Sequence, residues 1–208
     1  MKPYYEHEGI RLFNCDCLTA MKEMPDNAFD LAIVDPPYRD ANQPTKDMRA
    51  SGSMKTLEGR PSAEYFDELL RVSENQIIWG ANNFQLPQFK GFVVWDKVIP
   101  FDFTMSMAEM ASLSPDLGTI SKICKLRASG ADKRIHPTQK PVVLYKWLLT
   151  KYAKPGQTIL DTHLGSGSIA IACDVFGFDL TAFEIDLEYI EGATDRLKRH
   201  RAQGVLPL

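Results

Sequence analysis

Short apolar runs closed by turn residues alternate along this chain with stretches of helical spacing. Residues 10–14 (Ile-Arg-Leu-Phe-Asn) predict a strand, and 16–24 predict a helix that Asp16 is suited to cap, with Leu18, Met21 and Met24 at helical intervals. Pro25-Asp26-Asn27 breaks it. The run 31–34 (Leu-Ala-Ile-Val) then predicts a short buried parallel strand, apolar, rich in β-branched residues and stopped by a proline pair. The opening is a strand–helix–strand unit of the kind that builds parallel sheets. Residues 62–72 predict a helix capped by Ser62, with Tyr65, Phe66, Leu69 and Leu70 inward; 76–79 predict a strand ended by Gly80, and 91–96 another buried strand. Residues 107–114 are expected as its antiparallel neighbour at a sheet edge, with Met105, Met107 and Met110 as core filler. After Pro137 or Pro141 comes a helix carrying Val142, Val143, Tyr145, Trp147, Leu148 and Leu149, broken at Pro155-Gly156. Strand 158–160, helix 169–176, strand 180–183 and helix 187–201 complete an α/β pattern with no internal repeat.

Two polar stretches lack periodicity. Residues 39–60 are too long for a simple loop and leave directly from Tyr38, which suggests a mobile loop closing over substrate. Residues 115–135 are irregular and basic. At 208 residues, 44% hydrophobic and 25% charged, the chain suits one domain, 1–208, with one good core. No apolar run approaches the roughly 20 residues that span a bilayer, and the first residues lack an apolar signal core, so a cytoplasmic protein with no membrane partner is expected. Cys15, Cys17, Cys124 and Cys173 fit that compartment as free thiols. No second pair or histidine cluster stands at zinc spacing, so no metal site is expected. The formal net charge of −3 argues against a protein coated in positive charge, yet from Lys122 to Lys146 seven cations face a single acid, Asp132. That stretch is either a basic face for nucleic acid or a solvated lysine-rich loop.

The sharpest chemistry lies at Asp35-Pro36-Pro37-Tyr38. Asp35 closes a parallel strand, where open α/β sheets place ligands, and the two prolines hold an acid, two carbonyls and an aromatic ring in nearly fixed relation. The group suits methyl transfer to an exocyclic amine. A carboxylate and a main-chain carbonyl can each accept one N–H, turning the nitrogen lone pair towards an electrophile, while Tyr38 offers a face for an extruded base. The plainer reading is a proline-rich turn with Asp35 as an ordinary turn residue. Gly165-Ser166-Gly167, between strand and helix, lets a ligand approach backbone N–H groups, although such turns need glycine anyway. Glu184, about twenty residues on, can hydrogen-bond both hydroxyls of a ribose, and the pair implies a nucleoside-bearing cofactor. Asp16 also ends a strand; it is either a helix cap or a contact to that ligand.

Together these residues resemble the amino-methyltransferases of DNA in their circularly permuted β class, in which the target-binding tetrapeptide precedes the cofactor turn. Asp35-Pro-Pro-Tyr38 matches the catalytic motif, His136-Pro-Thr-Gln-Lys-Pro141 the signature before the cofactor strand, and Asp161 to Ser168 with Glu184 the cofactor motifs. The resemblance implies a Rossmann-like, seven-stranded, mostly parallel sheet with helices on both faces, the strands at Leu31 and Thr158 being central neighbours. It implies S-adenosyl-L-methionine (AdoMet) as cofactor and double-stranded DNA as partner, with N6 of adenine as target by base flipping, because the family tends to carry aspartate here for adenine and serine for cytosine. N4 of cytosine, RNA as substrate and a noncatalytic binder are the alternatives. Asp35, Pro36, Pro37 and Tyr38 would be catalytic. Glu184 would hold the ribose, and Asp16 with the backbone beside Cys17 the adenine; Asp161, His163, Gly165, Ser166, Gly167 and Ser168 would border the methionine part. Thr138, Gln139 and Lys140 would meet the cofactor carboxylate, with a DNA phosphate as the other role for Lys140. Arg39, Lys46, Arg49, Lys122, Lys125, Arg127, Lys133 and Arg134 would meet DNA, with 115–135 as a short target-recognition region. The family usually reads Asp-Pro-Phe where this chain has Asp161-Thr-His163. Dimers are common in such families, and the sequence leaves a restriction enzyme partner open.

Overall fold

Five parallel strands form the centre of the sheet, and their alternating side chains fill a core on each face. The computed structural model describes residues 1–38, 41–42, 57–99, 106–127 and 134–203. In chain order the main elements are β1 (Tyr5–His7), β2 (Ile10–Asn14), α1 (Cys17–Lys22), β3 (Phe29–Val34), β4 (Ala41–Asn42), β5 (Leu57–Glu58), α2 (Ala63–Val72), β6 (Ser73–Trp79), β7 (Gly91–Asp96), β8 (Ala108–Leu113), β9 (Lys122–Lys125), α3 (Val142–Tyr152), β10 (Thr158–Asp161), α4 (Ser168–Phe176), β11 (Asp179–Glu184) and α5 (Leu187–Ala202). The main sheet runs β1-β2-β11-β10-β3-β6-β8-β7-β9, and β4 and β5 pair separately as an antiparallel ribbon.

Among the described residues the sheet is nine-stranded and mixed, which corrects the expected seven strands and mostly parallel pairing. β2, β11, β10, β3 and β6 are mutually parallel, β8 runs antiparallel to both its neighbours, and β1 is antiparallel to β2. The two strands beyond expectation, β1 and β9, are short, largely exposed edges, so neither carries the apolar run that marks a strand. The 107–114 strand is interior rather than an edge, since β8 bonds to β6 on one side and β7 on the other.

Period-two alternation assigns the faces. Leu31 and Ile33 of β3, with Ile159, Leu180, Ala182 and Ile77, pack under α3, α4 and α5; Ala32 and Val34, with Leu160, Phe183 and Ile78, pack under α1 and α2. Asp16 caps α1 by accepting from Thr19 N at 2.7 Å, and Ser62 caps α2 by accepting from Tyr65 N at 3.3 Å. Helix α1 stops at Lys22, short of Met24. Leu70 is half-buried, and Val143 is exposed on the outer side of α3. Among the described residues no helix is long and apolar enough to cross a membrane.

Connections set the position of the site. From β10 the chain passes through α4 to β11 on one side, and from β3 through α2 to β6 on the other, with the two helices on opposite faces. The crevice between the carboxyl ends of β10 and β3 is therefore a topological switch point, where α/β sheets receive ligands.

Candidate active site

A cavity of about 550 Å³ opens at that crevice. Parallel register brings the ends of four strands to it: Ile159 pairs with Leu31, Leu160 with Ala32, Ala182 with Leu12 and Glu184 with Asn14. Asp16, Asp35 and Glu184, each just at or beyond a strand end, all line the cavity. Strand β8 runs the other way, so its beginning rather than its end reaches this edge and delivers Glu109 to the same cavity.

Asp35 is held in a charged cluster. Tyr38 Oη donates to Asp35 Oδ1 at 2.6 Å, and Lys140 Nζ contacts Asp35 Oδ2. The same ammonium lies 2.9 Å from Glu109 Oε2, and Lys97 Nζ lies 2.6 Å from Glu109 Oε1. Lys140 and Lys97 are both buried, and each lies against a carboxylate that compensates its desolvation. Burial alone would raise Glu109, but Lys140 and Lys97 outweigh it and hold the group down at about 2. Burial raises Asp35, opposed by Lys140 and reinforced by Glu109. Burial alone would lower Lys140; Asp35 and Glu109 raise it instead. The Tyr38 ring lies against Gly80, where a Cβ would collide with it, and meets Phe84 edge-on at 6.1 Å.

The other half of the cavity is built by the turn after β10. Gly165 N donates to Glu184 Oε2 at 2.8 Å and Asp186 N to Glu184 Oε1 at 2.9 Å, so two backbone amides orient this carboxylate. Burial raises Glu184 while those amides oppose the rise. His163 lines the cavity with its ring edge-on to Tyr65 at 5.4 Å; burial lowers it to about 4, so it is a neutral aromatic surface at pH 7. Asp161 lies behind, 2% exposed, accepting from His163 N at 3.0 Å, and burial with the charges of Asp35 and Glu184 pushes it up to about 8. The His136 segment is pinned alongside. His136 packs edge-on against Tyr189 at 4.4 Å, Gln139 Oε1 accepts from Ile135 N at 3.0 Å, and Ser168 Oγ donates to Lys140 O at 2.6 Å.

Of the residues singled out in the sequence, Asp16, Cys17, Asp35, Pro36, Pro37, Tyr38, Thr138, Gln139, Lys140, His163, Gly165, Ser166 and Glu184 meet in this one cavity. Asp161, Gly167 and Ser168 stand behind its wall. Gly167 faces α5, where a Cβ would come within 2.8 Å of Ala193 Cβ, and Ser168 also takes a 2.8 Å bond from Arg196. Burial, then Asp16, pushes the Cys17 thiol up to about 12, which leaves it neutral. Lys122, Lys125 and Arg127 are exposed on or beside β9, outside the cavity; Arg134 is half-buried. Arg39, Lys46, Arg49 and Lys133, and most of the 39–60 loop, lie outside the described residues. Sequence reasoning missed Glu109 and Lys97. The available signal was a lone acid inside the apolar strand 107–114, a position where charge is rare unless paired.

Comparison with known proteins places this geometry. The chain is 22% identical over 233 residues to the type II methyltransferase M.HpaI of Haemophilus parainfluenzae, across 90% of this chain and 74% of that protein. Its fold matches the crystal structure of the M1.HpyAVI complex with SAM at a TM-score of 0.62 and 19% identity, covering 90% of this chain and 98% of the other. It matches the PvuII DNA methyltransferase, which is cytosine-N4-specific, at 0.66 and 12% identity, covering 97% and 94%. The fold is thus the Rossmann-like methyltransferase fold, with helices flanking a mixed sheet. A family model described as DNA methylase, of the N6/N4 type, matches residues 92–195, half of the chain, from β7 through the His136 segment and the glycine turn into α5. This chain belongs to that DNA methylase family.

Proposed function

We propose that the protein transfers a methyl group from AdoMet to N6 of an adenine extruded from double-stranded DNA. The observation that carries the reading is the meeting of Asp35-Pro-Pro-Tyr38 with Glu184 and the Gly165 turn in one cavity at the switch point. The residues present fit the cofactor. Glu184, aimed by two amides, suits the ribose hydroxyls; Asp16 and the backbone beside Cys17 suit the adenine ring. Neutral His163, with Gly165, Ser166 and Thr138, suits the methionine part, and His163 supplies there the flat surface that phenylalanine supplies in the family. Asp161, Gly167 and Ser168 support this wall from behind. When bound, AdoMet supplies an electrophilic methyl group on a sulfonium. Asp35 accepts one N–H of the target amine and the Pro36 carbonyl accepts the other, which turns the nitrogen lone pair out of conjugation and into line. Tyr38 offers the stacking face, and the excess proton leaves to solvent from the methylated, cationic nitrogen. Lys140, engaged with Asp35 and Glu109, belongs to this half of the site rather than to the cofactor carboxylate or a phosphate. Lys122, Lys125 and Arg127 lie at the flank of the same sheet end and suit DNA phosphates.

Aspartate at the head of the tetrapeptide favours adenine, in line with the family resemblance. Similarity to the cytosine-N4-specific PvuII enzyme supports N4 of cytosine as the second reading. Incubation with AdoMet and unmodified DNA, digestion to nucleosides and mass spectrometry decides between them. N6-methyladenine is expected, N4-methylcytosine keeps the chemistry and changes the base, and the absence of both from a protein that binds AdoMet rejects the reading.

A further inference from the structure

The Tyr38 hydroxyl stands between two carboxylates, 2.6 Å from Asp35 Oδ1 and 3.4 Å from Glu109 Oε2. Asp35 thus receives Tyr38 on one oxygen and Lys140 on the other before any base enters. An incoming amino group needs an acceptor position on Asp35, and a buried tyrosine hydroxyl has one proton that must find another acceptor when displaced. Glu109 provides it. Its Oε1 is committed to Lys97 at 2.6 Å, which leaves Oε2 facing Tyr38 and Lys140. The ring need not leave its seat against Gly80; a turn about the C–O bond and a shift of a few tenths of an ångström carry the hydrogen bond across.

We propose that Glu109 is a positioning residue of methyl transfer, the acceptor to which the Tyr38 hydroxyl turns when the amino group of the extruded base takes its place on Asp35, with Lys97 fixing Glu109 in line. The inference rests on the methyl-transfer reading above. It assigns the four charges a division of labour: Asp35 meets substrate, Lys140 is shared between the two carboxylates, and the Lys97–Glu109 pair is the receiving station behind Tyr38.

The test is a double-mutant cycle between positions 38 and 109, read by single-turnover methyl transfer at saturating DNA and AdoMet. Replacing Glu109 alone strands Lys97 as a buried, unpaired ammonium, so the principal variant is Lys97→Met with Glu109→Met, which removes a balanced pair. With Tyr38 present this variant is expected to slow the step by about tenfold or more, as for loss of a hydrogen bond to a charged group. In a Tyr38→Phe background, where no hydroxyl needs an acceptor, it is expected to cost less than about threefold. Lys97→Met with Glu109→Gln, which keeps one acceptor oxygen and strands no charge, should fall between, and it carries the same cycle if the Met–Met variant does not fold. AdoMet affinity should stay within about twofold throughout. Equal losses with and without the hydroxyl, or an unchanged rate in the paired variant, overturn the inference while leaving the methyl-transfer reading in place. A wild-type protein that methylates neither base overturns both.

Discussion

Asp35 lines the cavity and Asp161 lies behind its wall, with opposite surroundings. Asp35 faces an ammonium and a hydroxyl, whereas Asp161 is buried beside two other carboxylates with one backbone amide for support. Asp35→Ala is expected to abolish methylation and leave AdoMet binding largely intact, as a calorimetric titration beside the nucleoside assay will show. Asp161, pushed up to about 8, holds a proton at pH 7. A cationic ligand favours its ionised form, so AdoMet binding at pH 7 should release up to about one proton, measurable by titrating in buffers of different ionisation enthalpy. His163 gives a second pH signature. Its folded value of about 4 lies below the ordinary 6.5, so between those values the unfolded chain takes a proton that the folded one refuses, and stability falls as pH drops through that window. His163→Phe should remove up to about 1.4 kcal/mol per pH unit from that slope in urea unfolding, while keeping the edge-on ring contact to Tyr65. The residues legible in sequence were those whose chemistry is local, such as the Asp35 tetrapeptide and the His136 segment. Glu109 and Lys97 were not, because their meaning lies in contacts to Tyr38 and Lys140 that a separate strand must deliver.

At the scale of elements, apolar runs and caps marked the central strands and most helices, because burial on both faces leaves a continuous apolar signature. The edge strands β1 and β9 bury little and left none. Strand β8 was foreseen as antiparallel, yet its interior place follows from its lying between β6 and β7, a long-range pairing that no local pattern records. The glycine turn shows how one element's geometry depends on another's packing. Gly167 combines a φ of +72° with α5 pressed against it, whereas Gly177, with a φ of +70°, has open space where a Cβ would be. Gly167→Ala is therefore expected to lower stability by about 2–3 kcal/mol and Gly177→Ala by only about 1, a difference that thermal or denaturant unfolding of the two variants resolves.

Over the whole molecule, a net charge of −3 coexists with a cationic flank, and the sheet explains where that flank points. Strand β9 is parallel to β7 and so runs in the direction of β3, which sets Lys125 and Arg127 at the same end of the sheet as Asp35. Converting Lys122, Lys125 and Arg127 to glutamate should weaken DNA binding uniformly across sequences. It should also flatten the plot of log affinity against log salt by about 0.9 for each phosphate that is no longer neutralised, with AdoMet binding unchanged. The order of strands has a further consequence, for how the chain is made. β2 and β3 are close in sequence, yet in the sheet they are held apart by β10 and β11, which the ribosome delivers more than a hundred residues later. Until that pair emerges, β2 and β3 each present a bare edge, and the sheet has a gap where its centre will be. The topology predicts that folding closes with the entry of this late wedge, slowly for its sequence separation, and that chains truncated before residue 158 aggregate more than the full chain in a sedimentation assay.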